Sequence, residues 1–582
     1  MNRLSIGKAR YNAINLNFFI GHGGGKKLAM RKMYLTMGFT LVVLIGSLIE
    51  IPAQNLLTRA EQSNFTETSR YADVLNWLYQ LQQRSSEIAV TSIGRSIEGR
   101  DILLAILGRP VPTSPTQLFI MNKPAIYIQA NIHAGEVEGK EAMLMLMRDI
   151  LLGSRGHLLD HQVLLIVPNF NPDGNEKISP DNRRNQLGPS QGVGVRYNGQ
   201  NLDLNRDYIK LETPENRAAV EQVLNRWDPM LMIDLHTTNG SYHQEPLTYA
   251  TAHNPNGDGS LIRYVRSKLF PEVAKQLKTK YGIMSVPYGD FVDDLDPAKG
   301  WQSFDHQPYY STNYWGLRNR FSILNENYAY ADYQTRIQAC YHFVELILEY
   351  THRHGAEMMT LIREVDQETI ARGQSADTSA QFGIEIVAKP LEQPLLIHSY
   401  EFERFVDANG RTRVKKTDRL RDYTVPFFED FTITKSVVLP KGYIFSSNLK
   451  EIAEILMRHG IRVEQIAAPD TFRVQTFQIE SIQSEQQLMQ GHRWTRLSGR
   501  YQSVDKIFPA GSFIVKMDQP LANLIAYLLE PESDGGLVKW NFFDRYLYAS
   551  QWSRQMNQFP VYRLMQPVRI ATTIVNKSNC HF

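Results

Sequence analysis

The 582-residue sequence predicts an α/β fold: a mixed, mostly parallel sheet with helices on both faces, followed by a C-terminal β-rich α+β domain. Three observations carry this prediction. Up to about residue 355, short β-branched apolar runs alternate with stretches of helical periodicity. Gly and Pro clusters such as 109–115 punctuate them. Beyond about residue 388 the alternation changes to period two.

Taken in order, Tyr71, Val74, Leu75, Leu78 and Leu81 recur at spacings of three and four, which predicts a helix starting near Thr66. The runs 88–93, 102–107 and 125–131 then read as strands. Segment 139–152, rich in Met, Leu and Glu, reads as the helix that returns the chain to the sheet. Strand 163–168, helix 218–227, and strands 230–235 and 321–325 extend the alternation, and a long helical pattern over 331–352 closes the unit. The polar stretch 356–388, with Gly373, Ser375 and Ser379, reads as a linker or peripheral helix. Segments 395–405, 425–438 and 472–482 alternate in period two, with one helix near 449–459. The expected organisation is therefore a targeting segment over 1–54, a catalytic domain over 60–355, a connector over 356–388, and a β-rich accessory domain over 389–582.

A hydrophobic content of 43% and a charged content of 21% are ordinary for a globular protein, and the net charge of +3 is near neutral for this length. No electrostatic argument exists for a nucleic acid as principal partner. Near the N-terminus Lys26, Lys27, Arg31 and Lys32 precede an uncharged apolar stretch over 33–49, and Ile51-Pro52-Ala53-Gln54 follows. That order of basic, apolar and small residues is a secretory signal, so the mature protein is expected to be secreted or periplasmic, without stable membrane insertion after signal removal. An uncleaved anchor is the alternative. The two cysteines, Cys340 and Cys580, read as one buried thiol and one tail thiol rather than a bridge.

The chemistry is carried by groups placed where apolar runs stop. His133-Ala134-Gly135-Glu136 follows the strand over 125–131, His236 follows the strand over 230–235, and Glu326 follows the strand over 321–325. Strand ends of an α/β sheet are where chemistry collects. Two imidazoles and a carboxylate make a catalytic zinc ligand set, which leaves Glu326 as the candidate base. Glu138 and Glu245 are weaker rivals for that role. His157 and His161 share a helical spacing, but the neighbouring Gly156 and Asp160 point to a solvated turn. His243 is expected to line the cleft without touching metal.

Several motifs in order resemble the zinc carboxypeptidases of the carboxypeptidase A and B type, over roughly 66–350. Ile93-Gly94-Arg95-Ser96-Ile97-Glu98-Gly99-Arg100 is similar to the family's Gly-x-Ser-x-Glu-Gly-Arg motif, and Asn131-Ile132-His133-Ala134-Gly135-Glu136 to its first two metal ligands. Asn171-Pro172-Asp173-Gly174 resembles the turn after the next strand. Asp203-Leu204-Asn205-Arg206 is similar to its Asn-Arg pair, and Asp234-Leu235-His236-Thr237 to its third ligand. The resemblance implies a Zn2+-dependent carboxypeptidase acting on peptides or proteins with a free C-terminus. His133, Glu136 and His236 hold the metal, Glu326 activates water, and Asn205 with Arg206 grips the terminal carboxylate. Arg183, with Arg184 as runner-up, stabilises the oxyanion.

Three departures from the family pattern stand out. Gly135 occupies a position where digestive relatives often carry a larger or basic residue. The family's mobile tyrosine could be Tyr309, Tyr310 or Tyr314. The residues after the catalytic unit have no part in the basic pattern. Two further readings follow from the same ligand set: hydrolysis of cell-wall peptides or of small amides, and a non-catalytic binding module.

Overall fold

The parity of the sheet residues sets the architecture of the computed structural model, which describes residues 56–547 and 557–575. The expected targeting segment and Cys580 lie outside the described residues. Helix α1 (Tyr71–Arg84) precedes strands β1 (Ile88–Arg95), β2 (Asp101–Leu107) and β3 (Ala125–Ala130). Helix α2 (Glu138–Leu151) then leads to β4 (Val163–Val167), β5 (Leu231–Thr238), β6 (Leu247–Ala250) and β7 (Ser285–Pro287). Helix α3 (Ser311–Leu317), strand β8 (Phe321–Tyr328) and helix α4 (Tyr333–Gln374) follow. The sheet order is β1-β2-β4-β3-β5-β8-β6-β7. Its centre, β4-β3-β5-β8, is parallel, and both flanks carry antiparallel pairs. The expected mixed, mostly parallel sheet with helices on both faces is observed.

Strands β3, β4 and β5 are buried along their whole length, which is why they read as continuous apolar runs rather than as alternations. Successive residues face opposite cores. Ile126, Ile128, Leu164, Ile166, Leu231 and Ile233 meet α1, α2 and α4. Tyr127, Leu165, Val167 and Met232 meet a second core, which continues into the C-terminal residues Tyr443, Leu456, Leu528 and Trp540. One face of the sheet is thus covered by α1, α2 and α4, and the other by the helical segment 214–227, by α3 and by the C-terminal region.

Within 356–388, residues up to Gln374 continue α4, with Met358, Ile362, Val365 and Thr369 buried at helical spacing. Strand β9 (Gln381–Pro390) pairs with β12 (Phe427–Val438), and β10 (Leu395–Val406) pairs with β11 (Thr412–Val425). The position 388 expected as a boundary falls inside β9. The last sheet contains β13 (Gly442–Phe445), followed in the chain by helix α5 (Lys450–Arg458) and β14 (Glu464–Ile466). A long hairpin of β15 (Asp470–Met489) and β16 (His492–Phe508) comes next, then β17 (Phe513–Lys516), helix α6 (Ala522–Leu529), β18 (Val561–Leu564) and β19 (Thr572–Ile574). Residues from Leu56 onward form one compact unit. His459, fully buried, ties α3 to the C-terminal region: its Nδ1 lies 2.7 Å from the Tyr314 hydroxyl, and Arg318 donates to its carbonyl at 2.7 Å. No helix among the described residues is long and apolar enough to cross a membrane.

Candidate metal centre

The parallel register of β5 and β8 places Glu326 directly beside His236. Strand β3 ends level with Leu235, so the loop it feeds delivers His133 and Glu136 to the same spot. Asn131 turns that loop with φ +66, a left-handed value that asparagine tolerates. Its side-chain amide donates to Asn169 and Asn175 at 2.9 and 3.0 Å.

His133, Glu136 and His236 are all buried and form the one group among the described residues whose donor atoms converge as a metal site requires. His133 Nδ1 lies 3.0 Å from Glu136 Oε1, His236 Nδ1 lies 3.0 Å from Glu136 Oε2, and the two Nδ1 atoms are 3.2 Å apart. A tetrahedral zinc site with bonds of about 2.0–2.1 Å has donor–donor edges of roughly 3.3 Å, so the triangle fits. The outer nitrogens agree. His133 Nε2 faces Asp203 Oδ1 and His236 Nε2 faces Asp234 Oδ2, both at 3.0 Å. Each carboxylate accepts the Nε2 proton, which leaves Nδ1 as the free lone pair. Two such lone pairs and a carboxylate offer a cation three buried donors. Burial opposes charge on His236, but Asp234 and Glu136 raise its pKa well above the ordinary histidine value. Burial likewise opposes ionised Glu136, but His133 and Arg183 hold it well below the usual carboxylate range.

Around this triangle lies a cavity of about 170 Å³. Glu326, Arg196, Asn205, Arg206, Tyr288 and Tyr310 are among its walls. Within the described residues the Glu326 carboxylate has no hydrogen-bond or ion-pair partner, and burial, reinforced by the charge of Glu136 against that of His236, pushes its pKa up to about 8. Asn205 Oδ1 accepts from Ser311 N at 2.9 Å, which turns its amide nitrogen toward His236. The Arg206 guanidinium lies 4.5 Å above the Tyr310 ring.

The remaining expectations sort by geometry. Arg183 packs against the metal side of the loop: its guanidinium pairs with Glu136 Oε1, and it is absent from the cavity wall. A Cβ on Gly135 would stand 2.7 Å from the Arg183 side chain, so the missing side chain at Gly135 makes room for that arginine. Arg184 is exposed and pairs with Asp181. Besides Arg206, the cavity wall carries Arg196, whose Nε donates to Asp203 Oδ2 at 2.8 Å. Glu138 is paired with Arg336 at 3.0 Å behind the site. Glu245 lies 3.5 Å from His243, which stacks on Tyr328 away from the cavity wall. Of the three tyrosines, Tyr314 is committed to His459 and Tyr309 packs edge-on to Trp540. Tyr310 reaches the cavity. His157 and His161 meet His352 in a ring cluster, but not in a metal-holding arrangement.

Asp203, Asp234, Arg196 and Tyr288 were given no role by sequence reasoning. Asp234 was accessible to it, since residues two apart on a strand share a face and Asp234 stands two before His236. Asp173 shows what the Ser96–Arg100 motif does: it accepts from Ser96 Oγ at 2.6 Å, Glu98 N at 3.0 Å and Arg100 Nη1 at 2.7 Å. That motif therefore holds the Asn171–Gly174 turn rather than the substrate.

The zinc carboxypeptidase family model matches residues 74–302. That stretch is a zinc carboxypeptidase domain. It is 22% identical to carboxypeptidase 2 of Trichophyton rubrum over 73% of this chain and 76% of that protein. It is 33% identical to carboxypeptidase Z of Mus musculus over 26% of this chain and 22% of that protein. Carboxypeptidase A from Helicoverpa armigera aligns with 57% of this chain and 87% of its own, at 17% identity and a TM-score of 0.39. With this domain the protein is a hydrolase with metallocarboxypeptidase activity, and the domain's family acts on peptide substrates.

Proposed function

We propose that the protein removes single C-terminal residues from peptides at a zinc site formed by His133, Glu136 and His236, and that the converging donor triangle carries this reading. A zinc ion there supplies Lewis acidity toward the scissile carbonyl and makes water a stronger acid. Asp203 and Asp234 hold the two imidazoles in the ligating tautomer. Glu326, unpartnered and raised in pKa, takes the proton of the attacking water and delivers it to the leaving amine. Arg196, rather than Arg183, donates to the oxyanion from the cavity wall. Arg183 neutralises Glu136 from outside it.

Asn205 and Arg206 bind the terminal carboxylate, with Tyr310 stacked on the guanidinium. Once Glu136, Arg196, Arg206 and Glu326 are assigned, the remaining wall, including Phe304, Thr312, Leu324 and Tyr288, carries no side chain to pair with a charged residue. The accepted C-terminal side chain is therefore uncharged. The order of basic, apolar and small residues near the N-terminus supports export before action. The cell-wall, small-amide and binding-module readings are not favoured by the comparisons.

The test is incubation of purified protein with a mixed peptide library, with and without chelator, read by mass spectrometry. Chelator-sensitive loss of single uncharged C-terminal residues is expected. Internal cuts, or release from peptides whose C-terminus is amidated, would remove the role given to Arg206.

A further inference from the structure

The C-terminal β-rich region touches both loops that carry substrate-binding groups. The hairpin of β15 and β16 is far longer than its own packing requires, because most of its outer half is exposed. Its turn, Gln490-Gly491, takes left-handed backbone values, φ +52 and +81. There Gln490 Oε1 accepts from the backbone N–H of Asp203 at 2.7 Å, across 287 positions of sequence. Asp203 is the point of greatest leverage in the site. Its carboxylate faces His133 Nε2 at 3.0 Å, accepts from Arg196 at 2.8 Å, and caps the turn of Asn205 and Arg206 at 2.9 Å. A shift of Asp203 therefore moves a metal ligand, Arg196 and the carboxylate grip together. Beside it, His492 Nε2 lies 2.9 Å from Glu212 and fixes the far end of the same loop.

The second loop is 304–311, which carries Tyr310. Lys539, nine-tenths buried, donates to Gln307 Oε1 at 2.8 Å and stands 3.9 Å above the Trp494 ring. Asp534 pairs with His306 at 2.5 Å. A Cβ on Gly535 would meet Pro308 at 2.5 Å, so a glycine is needed for that approach. Fully buried Trp540 joins the two loops, edge-on to Tyr309 at 5.9 Å and beneath Lys210 Nζ at 4.6 Å.

We infer that the C-terminal region is part of the catalytic apparatus, with Gln490 and Lys539 as positioning residues: Gln490 sets the Asp203–Arg206 turn, and Lys539 sets the loop that places Tyr310 over Arg206. The inference rests on the roles given above to Arg206 and Tyr310. Without Gln490 the backbone N–H of Asp203 has no other acceptor among the described residues. The consequence reaches substrate affinity and metal retention, which a purely structural contact would leave alone.

The test uses the full chain loaded with zinc, a peptide with a free C-terminal carboxylate, and two readouts: KM with kcat, and the half-time of zinc release to a chelator. Gln490→Met deletes the acceptor and Gln490→Glu retains it. The first raises KM roughly threefold to tenfold and shortens the zinc half-time, and the second recovers most of both. Lys539→Met and Gln307→Met each raise KM, and the double variant raises it no further than either alone. Unchanged KM and zinc release in Gln490→Met, or additive effects of Lys539→Met and Gln307→Met, overturn the inference while leaving the carboxypeptidase reading intact. A wild-type protein that releases no C-terminal residue overturns both.

Discussion

Replacing Glu326 with Gln tests the proton-transfer role and the electrostatics of the site at once. The substitution keeps shape and removes only the ability to hold a mobile proton. Because the carboxylate has no partner among the described residues, no fold-bearing bond is lost, and the three metal donors are untouched. Loss of a positioned general base costs about a hundredfold to ten-thousandfold in rate, so kcat should fall to below a few per cent with zinc content unchanged. Stability supplies an independent check. In the metal-free protein the Glu326 pKa is raised from the ordinary value to about 8. Between about pH 4.5 and 8 the folded state therefore holds a proton that the unfolded chain has released, and stability falls as pH rises through that window. Glu326→Gln abolishes this slope, so the chelated variant should be the more stable at pH 8, by an amount on the order of 2–4 kcal/mol, and equal to wild type near pH 4. With zinc bound, the cation's field draws Glu326 back toward the ordinary carboxylate range, and the difference should shrink. Peptide hydrolysis, zinc analysis and thermal melts at two pH values measure all of this. A zinc-loaded variant that keeps more than a few per cent of activity would remove Glu326 as the base. A variant that cannot retain zinc would make it a ligand instead.

The two arginines make opposite predictions. Arg196→Ala should lower kcat by about a hundredfold to a thousandfold, whereas Arg183→Ala should chiefly weaken zinc retention because it leaves buried Glu136 without its guanidinium; kinetics and zinc dissociation measured on both separate the roles. Arg206→Ala should raise KM for free-carboxylate peptides by at least tenfold and erase the preference over amidated ones, since a charge-assisted contact contributes about 1.5–3 kcal/mol. Glu215 is fully buried with one oxygen unpartnered, and burial, with the charges of Asp173 and Asp207, pushes its pKa up to about 7. The folded state therefore keeps that proton between about pH 4.5 and 7, and stability falls across the window. Glu215→Gln should stabilise the protein above pH 7 by on the order of 2–3 kcal/mol in thermal or denaturant unfolding, with little change near pH 4.

The convergence of His133, Glu136, His236 and Glu326 on one cavity was legible because each stands at the C-terminal end of an apolar run, and such runs survive in sequence whatever packs around them. The strands expected over 88–93, 102–107 and 163–168 were found within two residues at each end. The place of Arg196 in the cavity wall was not legible. Arg183 and Arg184 sit in an Asn-rich stretch that draws attention, whereas Arg196 reaches the cavity only because Asp203, seven residues on, holds its Nε. The continuation of α4 through Gln374 was present in the spacing of Met358, Ile362, Val365 and Thr369, but the polar residues between them obscured it. A helix with a single narrow buried stripe looks, in composition, like a linker.

The role of the C-terminal region could not be read from the sequence for a stronger reason. Period-two alternation says that a strand has a buried face, not what buries it. The same pattern serves a free-standing β domain and a sheet whose neighbours close the far side of someone else's core. Here the second case holds: Tyr127, Leu165 and Met232 from the catalytic sheet share one continuous core with Leu456, Leu528 and Trp540. Removing residues after about 388 would strip part of the cover of that face and leave buried polar groups such as Arg318 and Tyr314 without His459. A catalytic sheet whose second face is completed by distant sequence orders that sequence as it packs. Loops that end on the covered face, 203–212 and 304–311, are then held in the same step that completes the core.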